Sequence, residues 1–311
     1  MKRLRDDRGS VIVLVVLLMT ALLAISAVAV DVGSWYTADR KLQSTADAAV
    51  LAGAQDLPNT TTAASSATSY ANANNSGVDT WAPTFPDTST IDVSLSKSIP
   101  SIFAKLVGIN SKTVHAHARA QVGTPTQIRN VLPVGVAQSA VCTVGSSGCF
   151  GASKLLRFDD TTTVSFSSST WGLMDLLGGS TSTSNCQGQA SSSQIQDWIS
   201  NGYQGLLSVN QYYGAVNGEK STQNALNTQI GKPLLVPVYD SASTSWCKNP
   251  AKGGFHIVGW AALVIDNTVT NSDWGPHVKQ LHIHFVEYIV HDVDSTPGYS
   301  GFGVKVIQLT Q

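Results

Sequence analysis

An uninterrupted apolar run near the N-terminus most limits what this chain can fold into. The run extends from Val11 to Val30, contains no charged residue, and is broken only by Thr20 and Ser26. At about 1.5 Å per residue, a helix of this length crosses the roughly 30 Å hydrocarbon core of a bilayer. Because a helix also satisfies its own backbone polar groups in lipid, the run predicts a transmembrane helix.

The charges ahead of the run predict its orientation. Basic residues outnumber acidic ones there, with Lys2, Arg3, Arg5 and Arg8 against Asp6 and Asp7. By the positive-inside tendency, this flank stays in the cytoplasm. The sequence therefore predicts a single-pass protein of the cytoplasmic (inner) membrane, with its N-terminus inside and its C-terminal domains extracytoplasmic from Asp31 onward.

A cleaved secretory signal peptide is the alternative. Its apolar core would be about 7 to 15 residues long and would end at a small-residue site, for which Ala27 and Ala29 offer an A-x-A-like pattern. The apolar stripe of helical period nevertheless continues past the membrane edge to Gly53 and is broken only near Pro58. We therefore expect one helix from about Ser10 to Gln55, about 70 Å long.

The composition bears on partners and on the cysteines. The net charge is −1 and charged residues make up 13% of the chain, so the protein has no overall positive potential that would attract nucleic acid.

The chain has four cysteines. An even number without a C-x-x-C motif favours two disulfides over a metal cluster in an oxidising compartment. Because Cys142 and Cys149 bracket a short flexible loop, we predict that they pair and that Cys186 pairs with Cys247.

The segment after the apolar run carries a specific residue pattern. In order, its positions are Asp31, Gly33, Tyr36, Arg40, Leu42 and Gln43, then Ala46, Asp47, Ala48 and Ala49, and finally Leu51 to Ala54. This pattern resembles the N-terminal region of the Tad/Flp pilus-assembly TadG-like family, and the resemblance extends over about residues 8–123. It implies a membrane-anchored, minor pilin-like protein that meets other pilus or secretion-apparatus proteins through its N-terminal helix.

The same resemblance bears on processing of the N-terminus. Pseudopilins of related systems are cut after a Gly by a prepilin peptidase, and carry a Glu five residues into the mature chain. Gly9 followed by Ser10 is similar to the start of such a site, but the fifth residue counted from Ser10 is Leu14. Because the acidic residue is missing, we expect the anchor to be kept.

Small side chains on the second half of the long helix favour close helix packing. Ala46, Ala49 and Gly53 fall on one helical face, and such faces allow another helix to approach in membranes. We therefore expect this face to contact a partner. The alternative is that the same residues pack beneath the chain's own sheet, as the apolar stripe of an amphipathic helix usually does.

The remaining sequence predicts an α+β fold. After the basic flank (1–10) and the transmembrane helix (11–30), a pilin-like region (31–123) packs the long helix and a short helix (60–75) on a small antiparallel sheet, with a loop at 81–86 and a helical turn closed by Gly108. A β-rich domain (124–311) follows, with two short helices (194–201 and 222–230) and a surface loop at 178–193. The predicted strands are 91–95, 114–122, 131–136, 155–158, 164–166, 234–239, 256–265, 280–290 and 304–309.

The sequence offers only fragments of a chemical site. His282 and His284 share one strand face and are weak metal candidates, because two histidines are half of a zinc site. The D-x-S-x-S string from Asp92 to Ser96 lacks the buried strand that precedes such a metal motif in a von Willebrand A domain, so we assign it, like His115 and His117, to a solvent face. No P-loop, dinucleotide or G-x-S-x-G pattern is present.

These observations predict a membrane-anchored, non-catalytic accessory protein of a Tad/Flp-type pilus or secretion apparatus. We expect no cofactor, no bound metal, no small-molecule substrate and no nucleic-acid partner. The alternative, from another functional class, is an exported hydrolase or a metal-dependent binding module that the N-terminal anchor merely tethers.

Overall fold

One helix of 47 residues, α1 (Arg8–Ala54), begins the fold and confirms the long helix that the sequence predicts. The computed structural model describes residues 8–74, 79–146, 148–159, 169–186, 190–216, 220–248, 252–275, 278–298 and 301–310. The basic flank at positions 1–7 and the predicted strand 164–166 lie outside these ranges. The α+β class is confirmed, with the long helix followed by a β-rich region that contains a few short helices.

The chain divides into two units, Met1–Gln121 with Leu309–Gln311, and Val122–Gln308. In the first unit, α1 packs against a second helix and a three-stranded antiparallel sheet. The elements are α2 (Thr60–Asn74), β1 (Thr80–Asp87), β2 (Thr90–Pro100) and β3 (Ser111–Pro125, of which the residues up to Gln121 belong to this unit). A short 3-10 helix, Ala104–Val107, connects β2 to β3.

The small residues of the first unit explain its close packing. On α2, the buried residues recur every four positions, as Ala63, Ala67 and Ala71. On β2 and β3, apolar side chains alternate with polar ones, so that Ile91 and Val93 face the core together with the alanines of β3. These short side chains let the helices and the sheet approach closely.

The prediction of a loop at 81–86 is wrong, because these residues form β1. Pro83 and Pro86 lack the backbone N–H that a central strand requires. Among the described strands, β1 pairs only with β2, so it is an edge strand, where a missing N–H can be tolerated. The Trp81 indole also donates a hydrogen bond to Thr68 Oγ1 at 3.0 Å, which holds β1 to α2.

The second unit is built around a seven-stranded sheet, in which five strands pair in a closed ring. The sheet order is β10-β5-β7-β9-β11-β12-β6, and β10 also pairs with β11. These strands are β5 (Val134–Ala137), β6 (Ser153–Asp159), β7 (Trp171–Ser180), β9 (Gln211–Val216), β10 (Pro233–Lys248), β11 (Lys252–Ile265) and β12 (Val278–Val286). The shorter elements are β4 (Gln127–Ile128), a 3-10 helix (Gln138–Ala140), α3 (Ser192–Asn201), β8 (Leu207–Ser208), α4 (Lys220–Asn227), β13 (Tyr288–Val290), β14 (Ser295–Pro297) and β15 (Val304–Thr310).

Large aromatic side chains fill the core of the second unit. Trp171, Tyr213, Phe255, Trp260 and Phe285 are all fully buried. Burial raises the pKa of the Tyr213 hydroxyl to about 12, which keeps it neutral as a donor to Gln211 Oε1.

Neither β7 nor β9 was predicted from the sequence, and the predicted surface loop at 178–193 in fact begins with the end of β7. The first six residues of β7 are all buried, so the strand has no apolar-polar alternation to reveal it. A Cβ on Gly172 would lie 2.6 Å from Phe255 Cζ, so this glycine makes room for the aromatic core.

Candidate functional site

The first half of α1 is not covered by any of the residues that the structure describes. Its large apolar side chains, over residues 11–30, are 46% to 67% exposed. The helix is long and apolar enough to cross a membrane, and its most apolar window is not buried at all. A core helix of a soluble protein would be mostly covered, so this surface is typical of a helix that lies in lipid.

Asp31 lies where the apolar run ends and binds the chain that follows β2. Its two carboxylate oxygens accept hydrogen bonds from the backbone N–H groups of Ile102, Phe103 and Ala104, at 2.8, 3.0 and 2.5 Å. These N–H groups lie at the start of the 3-10 helix, where intrahelical partners are lacking. Burial acts to raise the pKa of the Asp31 carboxyl, but the three N–H donors, followed by the charge of Lys105, hold it below its usual value.

Gly33, Tyr36 and Arg40 form an exposed face of α1 just beyond Asp31. Arg40 Nε donates a hydrogen bond to the Tyr36 hydroxyl at 3.1 Å, and its guanidinium lies over the Tyr36 ring. A Cβ on Gly33 would meet nothing within 4 Å, so the glycine leaves room on this face. Packing inside the described part of the first unit therefore explains none of the three residues, and the face is open to another protein.

Ala46, Ala49 and Gly53 instead lie inside the fold. The two alanines are fully buried, and a Cβ on Gly53 would lie 2.6 Å from Ile91 Cδ1 and 2.9 Å from the Ala63 carbonyl oxygen. The small side chains thus admit α2 and β2, as the internal-packing alternative expects. Contact of this face with a partner helix stays a prediction, and it would require α2 or β2 to move away.

The remaining positions of the family pattern hold α1 to the sheet. Leu42 is fully buried in the core of the first unit, and Ala48 is half-buried. Gln43 Nε2 donates hydrogen bonds to Asp47 Oδ1 at 2.9 Å and to the His117 carbonyl oxygen at 2.8 Å. One amide therefore links two turns of α1 to β3.

Asp92 is not part of a simple solvent face, which corrects the expectation from the sequence. The Arg119 guanidinium donates two hydrogen bonds to the Asp92 carboxylate, at 2.7 and 2.6 Å, and His117 Nε2 lies 3.4 Å away. The carboxylate is mostly buried, and the Arg119 hydrogen bonds hold its pKa below the usual value although burial opposes them. The Asp92 carboxylate of the D-x-S-x-S string therefore forms a cross-strand ion pair with Arg119.

The two candidate metal histidines share one side of β12. His282 and His284 alternate there with buried Leu281 and Ile283, and His284 Nδ1 lies 2.5 Å from Asp266 Oδ1. Across the described ranges, no group of three or more His, Cys, Asp or Glu side chains could hold a metal ion. The structure therefore gathers a histidine–carboxylate pair here and adds no third ligand from the residues it describes.

Both predicted disulfides are present. Cys142 is joined to Cys149 and Cys186 to Cys247, with Cα–Cα distances of 5.7 and 4.8 Å. The second bond joins the loop after β7 to the end of β10. All four cysteines of the chain are therefore oxidised, as expected for a protein exposed to an oxidising compartment.

One exposed apolar segment was not recognised from the sequence. The sequence predicts the short helical turn after β2, but not that Ile102, Phe103, Leu106 and Ile109 are left exposed. The available signal was their spacing. Ile102 and Phe103 are adjacent, and adjacent side chains of a helical turn point to different sides, so the four residues cannot all face one core.

In this chain a helix of membrane-spanning length continues without a break into a small α+β unit. Such an arrangement is typical of proteins with an N-terminal membrane anchor. Residues 9–56 match the Tad family model, described as "Putative Flp pilus-assembly TadE/G-like". This match confirms the resemblance over residues 9–56, the stretch that contains the apolar run, Asp31 and both faces of α1. The predicted extension to residue 123 lies beyond it. No curated protein and no solved structure matches the chain.

Proposed function

We propose that this protein is a non-catalytic, minor pilin-like accessory subunit of a Tad/Flp-type pilus or secretion apparatus. The single observation that carries the proposal is that the family match coincides with one continuous helix whose first half is uncovered. In this proposal α1 spans the cytoplasmic membrane with its N-terminus inside, and both units lie on the outer side.

The exposed face of Gly33, Tyr36 and Arg40 is the proposed contact with the apparatus. Tyrosine and arginine are enriched at binding hot spots, and tyrosine is also enriched at the membrane–water boundary, where this face lies. The exposed glycine permits close approach of a second backbone. The partner helix would therefore run along α1 from the apolar run to about Arg40.

The pairing of polar side chains in the two units supports a structural role. Several ionisable groups that could serve in catalysis instead contact another ionisable side chain in the fold. These pairs are Asp92 with Arg119, His256 with Asp240, His284 with Asp266, and Glu287 with Lys305. Such pairs hold neighbouring strands and loops together, and each is explained without a substrate.

Photo-cross-linking in the native membrane tests the proposal. Tyr36 and Tyr70 are both tyrosines on helices of the first unit and are 59% and 53% exposed, so they form a matched pair. With benzoylphenylalanine in place of Tyr36, we expect a cross-link to another pilus or secretion protein, and with Tyr70 replaced we expect none.

A deletion strain provides the second readout. We expect the deletion to abolish pili or secretion. The wild-type chain should restore them, and the Tyr36→Ala/Arg40→Ala variant should restore them poorly. Unchanged pili and secretion in the deletion strain would refute the function. Cross-links that are the same at positions 36 and 70 would refute the proposed contact face.

A further inference from the structure

We propose that residues 102–109, here called the return segment, dock on the membrane surface beside α1 and form a second, peripheral attachment to lipid. This inference rests on the membrane span of the proposed function and adds to it a binding surface in the first unit. The return segment contains the 3-10 helix between β2 and β3.

Exposure of large apolar side chains is the first reason. Ile102, Phe103, Leu106 and Ile109 are 42% to 88% exposed, with Leu106 at the upper limit. Scattered exposed apolar residues are ordinary, but four within eight positions of the chain are a local concentration, which is typical of a binding surface. Their apolar surface would be removed from water by a bilayer or by another protein.

The position of the return segment beside the apolar run favours a bilayer over another protein as the occupant. The return segment is fastened to Asp31, the first residue after Val30, by three hydrogen bonds of 2.5 to 3.0 Å. A lipid surface that surrounds the end of the apolar run is therefore already beside the segment. These three hydrogen bonds, here called the Asp31 clamp, also explain how a carboxylate is accommodated at the end of the apolar run, because the N–H groups compensate for its lost hydration.

Matching lengths of helix and strand show how the fold places the segment. At its far end β2 touches α1, with Ile91 beside Gly53, and at its near end the chain returns to Asp31. From Asp31 to Gly53 the helix rises about 33 Å at about 1.5 Å per residue. From Ile91 to Ile102 an extended chain covers about 36 Å at roughly 3.3 Å per residue. β2 is therefore long enough to bring the segment back to the level at which the apolar run ends.

The polar residues of the segment suit a headgroup region. Lys105 lies within the 3-10 helix and Lys112 follows at the start of β3, and both are exposed. Lysine can place its stem along apolar surface while its ammonium reaches lipid phosphates. Gly108, in a left-handed conformation with φ 88°, turns the chain back towards β3. The segment thus presents an apolar tip with basic flanks, which is typical of interfacial insertion.

Spin-label accessibility in nanodiscs tests the inference with the full-length protein. All four native cysteines are in disulfides, so a label can be directed to Leu106→Cys, with Thr88→Cys in the β1–β2 turn as the aqueous control and Leu18→Cys as the control for the span. The discs contain phosphatidylethanolamine and phosphatidylglycerol. We expect the ratio of oxygen to nickel-chelate accessibility at position 106 to be several-fold higher than at position 88 and to approach the value at position 18.

The three labels separate the possible failures. If position 18 is in lipid and position 106 is as accessible to nickel as position 88, the return segment does not bind the membrane, and the proposed function is unaffected. If position 18 is itself in water, the membrane span fails and both proposals are refuted. Dipolar broadening at position 106 that appears only with two copies per disc would identify the occupant as a second copy and would also overturn the inference.

Discussion

Removing the Cys186–Cys247 disulfide should destabilise the second unit about twice as much as removing the Cys142–Cys149 disulfide. The two bonds join residues 61 and 7 positions apart. In the chain-entropy model, a disulfide stabilises by restricting the unfolded chain, and the effect grows with the logarithm of loop length. The resulting free-energy losses are about 4 kcal/mol for the long loop and about 2 kcal/mol for the short loop.

Urea unfolding of two double variants measures the difference. Alanine replaces cysteine in Cys186→Ala/Cys247→Ala and in Cys142→Ala/Cys149→Ala, so that no hydroxyl is introduced at Cys142, Cys186 and Cys247, which are buried. Tryptophan fluorescence reports mainly the second unit, which holds Trp171, Trp198, Trp246, Trp260 and Trp274 out of seven in the chain. With a slope of about 2 kcal/mol per M, the midpoints should fall by about 2 M and about 1 M.

The relative size of the two shifts is the decisive observation. Equal midpoint shifts, or a larger shift for the Cys142–Cys149 variant, would show that loop closure is not what these bonds contribute. The wild-type protein after reduction is the matched control, because its side chains keep their volumes. Its midpoint should fall below those of both variants, since both loops are then open.

Three further outcomes follow from single sites. Gly53→Ala should destabilise the first unit by about 1–2 kcal/mol, because the new Cβ would lie 2.9 Å from a backbone oxygen. Gly33→Ala has open space around it and should be neutral or stabilising by up to about 1 kcal/mol. Equal effects of the two variants in thermal unfolding would contradict this expectation. The pKa of Asp31 is lower in the folded protein, so the ionised carboxylate stabilises the fold above its ordinary pKa of 3.8, and this stabilisation is lost as the pH falls through the folded value. Asp31→Asn should remove this acid dependence. Unfolding curves of both proteins from about pH 6 to about pH 2 test the expectation. His282→Ala and His284→Ala should leave the metal content of the purified protein unchanged by mass spectrometry, and loss of stoichiometric zinc in either would favour the tethered metal-binding alternative.

Strong local signals made the first part of the fold predictable. The long apolar run, the continuing helical period and the stop near Pro58 predicted α1 and placed its end within one residue of Ala54. The disulfide pairing could also be predicted, because a short loop between Cys142 and Cys149 leaves one choice for the other two cysteines. In both cases the deciding information lies in a short stretch of sequence.

The features that were missed depend on contacts between distant residues. Pro83 and Pro86 argue against a strand unless it is known that β1 lies at an edge. Similarly, Asp92 fits an exposed position until β3 brings Arg119 beside it. The role of Asp31 as a clamp requires knowing that β2 returns the chain to it, which no local pattern reveals.

The fastening of α1 to its own sheet has a mechanical consequence. The helix has no proline and no break where the apolar run ends, so tilt or rotation of the anchor is transmitted to the first unit without a hinge. A pull along the helix axis acts along β2 and the chain that follows it, which meet α1 where Ile91 lies beside Gly53 and where the Ile102 N–H bonds to Asp31. The load is therefore applied in shear, and the contacts along this interface resist it together instead of opening one after another.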